Sequence, residues 1–177
     1  MSARPLSPYA ASKLATETYT LAYGVCFDLP VLAFRFFNVF GPLQPAGHAY
    51  AAVVPTFVDA ALDGKPLPVH GDGLQTRDFT YVGSVVRVLA EAVKRGVAHP
   101  EPVNLAFGSR RTLLDLIATL GEIIGRELDV AHEPPRPGDV RHSQADQTRL
   151  RSLFPDVEPV DFEQGLHETV EWFRSLG

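Results

Sequence analysis

Tyr9 and Lys13 stand four residues apart in the stretch Pro5-Leu6-Ser7-Pro8-Tyr9-Ala10-Ala11-Ser12-Lys13, a spacing that puts both side chains on one face of a helix. That geometry suits proton transfer. A phenol is a poor base at its ordinary pKa near ~10, but an ammonium close by favours the phenolate and draws the value towards neutrality. Beside a hydride-accepting cofactor, such a tyrosine can take a proton from a hydroxyl while hydride leaves the same carbon. Taken alone, Tyr-x-x-x-Lys occurs by chance on many amphipathic helices, and a solvated pair is then the simpler reading. The flanking Pro-x-Ser-x-Tyr-x-x-x-Lys pattern reverses that preference.

Three further segments carry groups suited to an anionic ligand. Arg35-Phe36-Phe37-Asn38-Val39-Phe40-Gly41-Pro42 leads from an apolar run into a loop, and open α/β sheets place ligands beyond the carboxyl ends of their strands. Asn38 in that position either contacts a ligand or simply begins a turn, as asparagine often does. Gly71-Asp72-Gly73-Leu74-Gln75-Thr76-Arg77-Asp78-Phe79-Thr80-Tyr81-Val82 holds Arg77, whose planar fork meets a diphosphate bidentately as a lysine cannot. The plainer alternative for Arg77 is an ion pair with Asp78 or Asp72 on a hairpin. Arg136-Pro137-Gly138-Asp139 places a guanidinium and a carboxylate on a proline-stiffened turn.

Helices and strands must position these groups. Ser7 and Pro8 read as N-cap and first helical residue, with Leu14, Thr18, Leu21 and Ala22 recurring at helical spacing until Gly24. Pro30 to Phe37 is almost continuously apolar, as expected for a strand covered on both faces. A helix over 51–62 carries Val54, Phe57, Val58 and Ala61 inward and ends at Gly64. Leu67–His70 and Arg77–Tyr81 read as short strands around the Gly71-Asp72-Gly73 turn, and Ser84–Val93 as a helix. Val103–Phe107 reads as a strand, Thr112–Ile124 as a helix capped by Thr112 and stopped by Gly125, and Leu128–His132 as a strand. Asp146–Leu153 and Asp161–Leu176 are the last two predicted helices, with Trp172 and Phe173 packing against the core.

Composition bounds the class. The 177 residues are 45% hydrophobic, enough for a sizeable core, and the net charge of −5 argues against nonspecific nucleic-acid binding. Cys26 is the sole cysteine, which fits a reducing compartment and, among apolar neighbours, a buried small hydrophobe. No eighteen-residue apolar run and no leader pattern is visible, so no membrane contact is expected and the cytoplasm is the default location. The six histidines are scattered without zinc-ligand spacing, and no metal site is expected.

Together the four segments resemble the NAD-dependent sugar-nucleotide epimerases and dehydratases of the extended short-chain dehydrogenase family, in particular enzymes of the UDP-glucose 4-epimerase kind. The Gly-Asp-Gly-x-Gln-x-Arg-Asp-Phe-x-Tyr-Val stretch is the most specific match, although Gly83-Ser84 stands where the family usually carries an acidic residue. The resemblance covers Pro5 to about Trp172 and starts in mid-domain, without the glycine-rich strand-to-helix turn that holds the pyrophosphate of NAD. It implies an α/β fold: the late part of a doubly wound Rossmann-type sheet, lacking the N-terminal cofactor-binding strands, plus a smaller α/β substrate-binding lobe. Residues 1–45 would be the tail of the NAD-binding domain and 46–177 mainly the substrate lobe, with 100–110 returning as a strand to the sheet.

The resemblance further implies NAD as cofactor and a UDP-linked nucleotide sugar as substrate. Tyr9 and Lys13 would be the catalytic and cofactor-binding pair, and Asn38, Arg77 and Arg136 the diphosphate contacts, with Asp139 accepting the ribose hydroxyls. Leu6-Ser7-Pro8 stands where the dehydratases place an acidic pair, so 4-epimerisation of UDP-glucose or UDP-glucuronate is the favoured expectation over a 4,6-dehydratase or reductase. The alternative class is a nucleotide-sugar-binding or structural module without turnover, the behaviour expected of the isolated chain; another is that a separate chain supplies the missing strands. An exposed sheet edge and helix face are expected to drive association, as a homodimer or otherwise.

Overall fold

The computed structural model describes residues 4–5, 7–47, 52–136 and 140–176. Its helices are α1 (Pro8–Phe27), α2 (Val53–Leu62), α3 (Val82–Arg95), α4 (Leu113–Ile124), α5 (Thr148–Leu153) and α6 (Phe162–Arg174). Its strands are short: β1 (Phe34–Phe36), β2 (Val39–Phe40), β3 (Leu67–His70), β4 (Thr76–Arg77), β5 (Thr80–Tyr81), β6 (Val103–Leu105), β7 (Arg111–Thr112) and β8 (Val130–Glu133). No described helix is long and apolar enough to cross a membrane.

Local chemistry starts and stops the helices. The Ala10 amide donates to the Ser7 hydroxyl at 3.1 Å, and Pro8 occupies the first turn, where its missing N–H costs nothing. α4 opens on a reciprocal capping box: Asp115 N–H donates to Thr112 Oγ1 at 3.0 Å, and Thr112 N–H donates to the Asp115 carboxylate at 2.8 Å. Gly125 then ends α4 in the left-handed conformation. α2 buries Val54, Phe57, Val58 and Ala61, the face its sequence spacing marks.

The strands pair in twos. β1–β6, β2–β5 and β3–β8 are parallel, and β4–β7 is antiparallel. Two apolar clusters pack around them. Phe40, Phe79, Tyr81 and Phe162 gather their rings between α2, α4 and α6, with Phe40 lying 5.7 Å centroid to centroid from both Tyr81 and Phe162. Gly165 admits this arrangement, since a Cβ there would lie 2.7 Å from Tyr81 ring carbons. The second cluster sets Val85 and Val88 of α3 and Leu150 and Phe154 beside Val103 and Leu105 of β6. The whole is α/β, with parallel strand pairs and helices packed on them.

Several sequence expectations yield to this structure. α1 runs past Gly24 to Phe27 and closes at Asp28, whose amide returns to the Gly24 carbonyl. Gly24 instead makes room for Val31, whose Cγ2 lies 2.5 Å from where its Cβ would be. The strand read over Pro30–Phe37 shrinks to three residues that are half-buried or exposed, because β6 is its one described strand neighbour. Cys26 is exposed rather than buried, since α1 buries none of its residues. The segment Arg77–Tyr81 splits into parts of two strands that pair with β7 and β2, so the Gly71-Asp72-Gly73 turn joins strands that are not partners.

Candidate functional site

Parallel pairing of β3 with β8 sets His70 opposite Glu133, and the chain reaches Arg136 three residues later. Antiparallel pairing of β4 with β7 brings Arg77 to the same place and seats it opposite Arg111, whose guanidinium turns away to lie 5.3 Å over the Phe162 ring. Between these elements is a cavity of about 360 Å³. Arg77, Arg136, His70, Gln75 and Glu133 form its polar wall, and Val53, Phe57, Pro68 and Leu113 its apolar one. Arg77 Nη1 donates to the Thr76 and Val140 carbonyls at 2.9 and 2.6 Å, which fixes the stem of its fork against the backbone.

The carboxylates flanking Arg77 in sequence have other work. Asp72 accepts from Arg141 Nη2 at 2.8 Å and from the Leu74 amide at 3.0 Å, and these contacts hold its carboxyl below the usual range. Asp78 is fully buried and accepts from the Ser109 amide at 3.1 Å, the Ser109 hydroxyl at 3.3 Å and the Ala145 amide at 3.1 Å. Burial pushes its carboxyl up, against the pull of those donors. It thereby latches the segments after β6 and before α5 onto the strand that carries Arg77. Ser84 is buried and its hydroxyl accepts the Val160 amide at 2.9 Å.

Asn38 lies between β1 and β2 with φ 35°, in the left-handed region that asparagine tolerates. Its carbonyl accepts the Thr80 amide at 3.3 Å and its side-chain amide donates to the Asp78 carbonyl at 3.4 Å. It is therefore a turn residue that also abuts the Arg77 strand. Tyr9 and Lys13 share a face of α1, with the ammonium 5.3 Å from the phenol ring centroid, and Tyr9 is 72% exposed. The structure thus brings Tyr9 to Lys13 and Arg77 to Arg136, while the cavity lining includes neither Tyr9, Lys13 nor Asn38. Asp139, with Pro137 and Gly138, lies outside the described residues.

Sequence reasoning passed over His70, Gln75 and Glu133. Gln75 sits inside the most specific motif and donates to the His70 carbonyl at 2.8 Å, so its place in the motif was a usable signal. His70 and Glu133 meet only through the β3–β8 register, which leaves no mark in either segment alone.

Comparison with known proteins identifies the chain's relatives. The model of the NAD dependent epimerase/dehydratase family matches residues 1–106. A UDP-N-acetyl-alpha-D-glucosaminuronate decarboxylase of Bacillus cytotoxicus is 33% identical over 95% of this chain and 53% of its own length. A UDP-glucose 4-epimerase of Mycolicibacterium smegmatis is 34% identical over 99% of this chain and 55% of its own length. The crystal structure of a UDP-glucuronic acid 4-epimerase from Bacillus cereus, in complex with UDP-glucuronic acid and NAD, superposes with a TM-score of 0.87 at 29% identity, covering 100% of this chain and 55% of that one. The chain spans about half the length of the curated relatives it matches.

Proposed function

The chain belongs to the NAD dependent epimerase/dehydratase family, and on that premise we propose that it carries the nucleotide-sugar side of an NAD-linked 4-epimerase acting on UDP-glucose or UDP-glucuronate. One observation carries the reading: two guanidiniums from segments far apart in sequence, Arg77 and Arg136, line one cavity whose other wall is apolar. That wall suits a ligand with an anionic middle and a flat nucleoside end. In this reading Asn38 adds a neutral donor to the diphosphate and Asp139 accepts the ribose hydroxyls.

The residues on α1 fit the reacting end of a nicotinamide cofactor, because a phenol and an ammonium stand together on one open face. Among the described residues no strand runs through a glycine-rich turn into a helix, so none is assigned to the pyrophosphate. NAD, when bound, supplies hydride acceptance and return at the sugar carbon. Tyr9 takes the proton of the C4 hydroxyl and gives it back, with the Lys13 ammonium standing beside its ring. Leu6-Ser7-Pro8 offers no acid beside Tyr9, which favours epimerisation over dehydration.

A second reading, nucleotide-sugar binding without turnover by these residues alone, is favoured by the exposure of Tyr9, since nothing described excludes water from it. Calorimetric titration with UDP-glucose, with and without NAD, tests the site. Saturable binding weakened roughly 10- to 100-fold by Arg77→Ala is expected, the size of a lost charge-assisted contact. Equal binding by the variant would remove Arg77 from the site, and sustained epimerisation of UDP-glucose by the chain with NAD would exclude the binding-only reading.

A further inference from the structure

The cavity holds a titratable pair that the proposed reaction does not use. His70 Nδ1 lies 3.2 Å from the Pro134 carbonyl oxygen and 3.2 Å from Glu133 Oε2. Both neighbours can only accept, so Nδ1 carries a hydrogen whichever charge state the ring has, and protonation takes place at Nε2. Neutral, the ring leaves the Glu133 carboxylate as a net negative charge in the same wall as Arg77 and Arg136. Protonated, it cancels that charge.

We propose that the His70–Glu133 pair couples proton uptake to the binding of an anionic ligand, specifically a nucleoside diphosphate sugar, in the Arg77–Arg136 cavity. The inference rests on the reading of that cavity as the diphosphate site. An anion that must sit beside the Glu133 carboxylate loses part of what the two arginines offer, and one proton on His70 restores it. By reciprocity, the bound anion makes His70 easier to protonate.

The other charged groups around His70 do not serve the same end. Asp72, in the turn that follows β3, is held by Arg141 at 2.8 Å, and His132 on β8 bonds the Gly71 carbonyl through Nδ1 at 2.8 Å. His142 bonds Thr76 Oγ1 at 3.1 Å. The cavity-lining residues from α2 and α4, Val53, Thr56, Phe57 and Leu113, carry no charge.

UDP-glucose is a suitable probe, because its diphosphate is a diester with constant charge over the range in which imidazoles ordinarily titrate. Titrating the 177-residue chain at pH 8 and pH 6, each in buffers of different ionisation enthalpy, gives both affinity and protons taken up. The expected result is a several-fold rise in affinity towards pH 6, with a ceiling of tenfold per pH unit for one linked proton, accompanied by fractional proton uptake. His70→Gln is expected to bind with flat pH dependence and no uptake, His132→Gln to behave as the parent, and Glu133→Gln to bind more tightly at pH 8. Arg77-dependent binding with no proton uptake, or uptake that survives His70→Gln, overturns the coupling and leaves the site reading intact. No binding at either pH overturns both.

Discussion

The lobe built on α2, α4 and α6 and the stretch from α1 through β1 contain similar apolar residues and treat them in opposite ways. In the lobe, Phe57, Leu116 and Leu166 are at most 1% exposed; in the other region Tyr9, Tyr19, Val25, Phe27 and Phe36 range from 57% to 85% exposed. The residues themselves do not differ in kind. What differs is that each lobe helix has a partner on its apolar face, while α1 buries none of its residues and β1 has a described strand on one side only. A hydrophobic stripe therefore reports a demand for cover, and whether the cover is present depends on the rest of the structure.

The comparison can be broken by truncation on both sides. Phe57→Ala is expected to cost about 3–5 kcal/mol in denaturant unfolding, the usual loss for a large core side chain, whereas Tyr19→Ala should stay within about 0.5 kcal/mol. A large loss from Tyr19→Ala would mean that α1 is covered in solution. Asp78→Asn should cost about 2–4 kcal/mol, because an amide nitrogen would replace one acceptor oxygen and face backbone N–H groups of Ser109 or Ala145. An unchanged unfolding midpoint would show that the latch contributes nothing.

Tyr81 sharpens the lobe side through pH. Its hydroxyl donates to the Glu168 carboxylate at 2.5 Å, and burial together with that neighbour pushes the phenol from 10.0 up to about 12. The native state thus keeps its proton more tightly than the unfolded chain does. The stabilisation is fully present below pH 10 and is lost as pH rises through 12, by roughly 3 kcal/mol for a shift of that size. Unfolding followed from pH 9 to 12 should show this decline in the parent and lack it in Tyr81→Phe. The smallest expected effect is on the bare side: Arg35 donates to both oxygens of Glu17 at 2.6 and 2.7 Å, joining α1 to β1. Glu17→Gln should cost no more than about 1 kcal/mol, as exposed ion pairs do, read as a small change in the helical signal at high salt or in the variant.

Part of the candidate cavity was legible because its markers are local. Arg77 and Arg136 were identifiable from their segments, and the structure does place them in one wall. The partners of Arg77 were not, since neither adjacent carboxylate pairs as a hairpin would have it: Asp72 goes to Arg141 and Asp78 turns inward. The roles of Tyr9, Lys13, Asn38, Arg77, Arg136 and Asp139 in catalysis and binding remain proposals tied to the family and to the experiments above.

The sequence alone determined that the helices form and where the capped ones begin or end, though not the end of α1, because a cap is an interaction over three or four residues. Ser7 with Ala10, Thr112 with Asp115 and the left-handed Gly125 are all written within one turn. It also determined the apolar faces of α2 and α4, which follow from the helical repeat. Tertiary structure alone decided which strands pair, since two-residue strands such as β2, β4, β5 and β7 carry no periodicity and exist only through partners some thirty-five to forty residues away. It decided that α1 and Cys26 stand exposed, because burial is a property of what lies opposite. And it brought His70 to Glu133 across the β3–β8 register, a meeting that depends on pairing two segments sixty-odd residues apart.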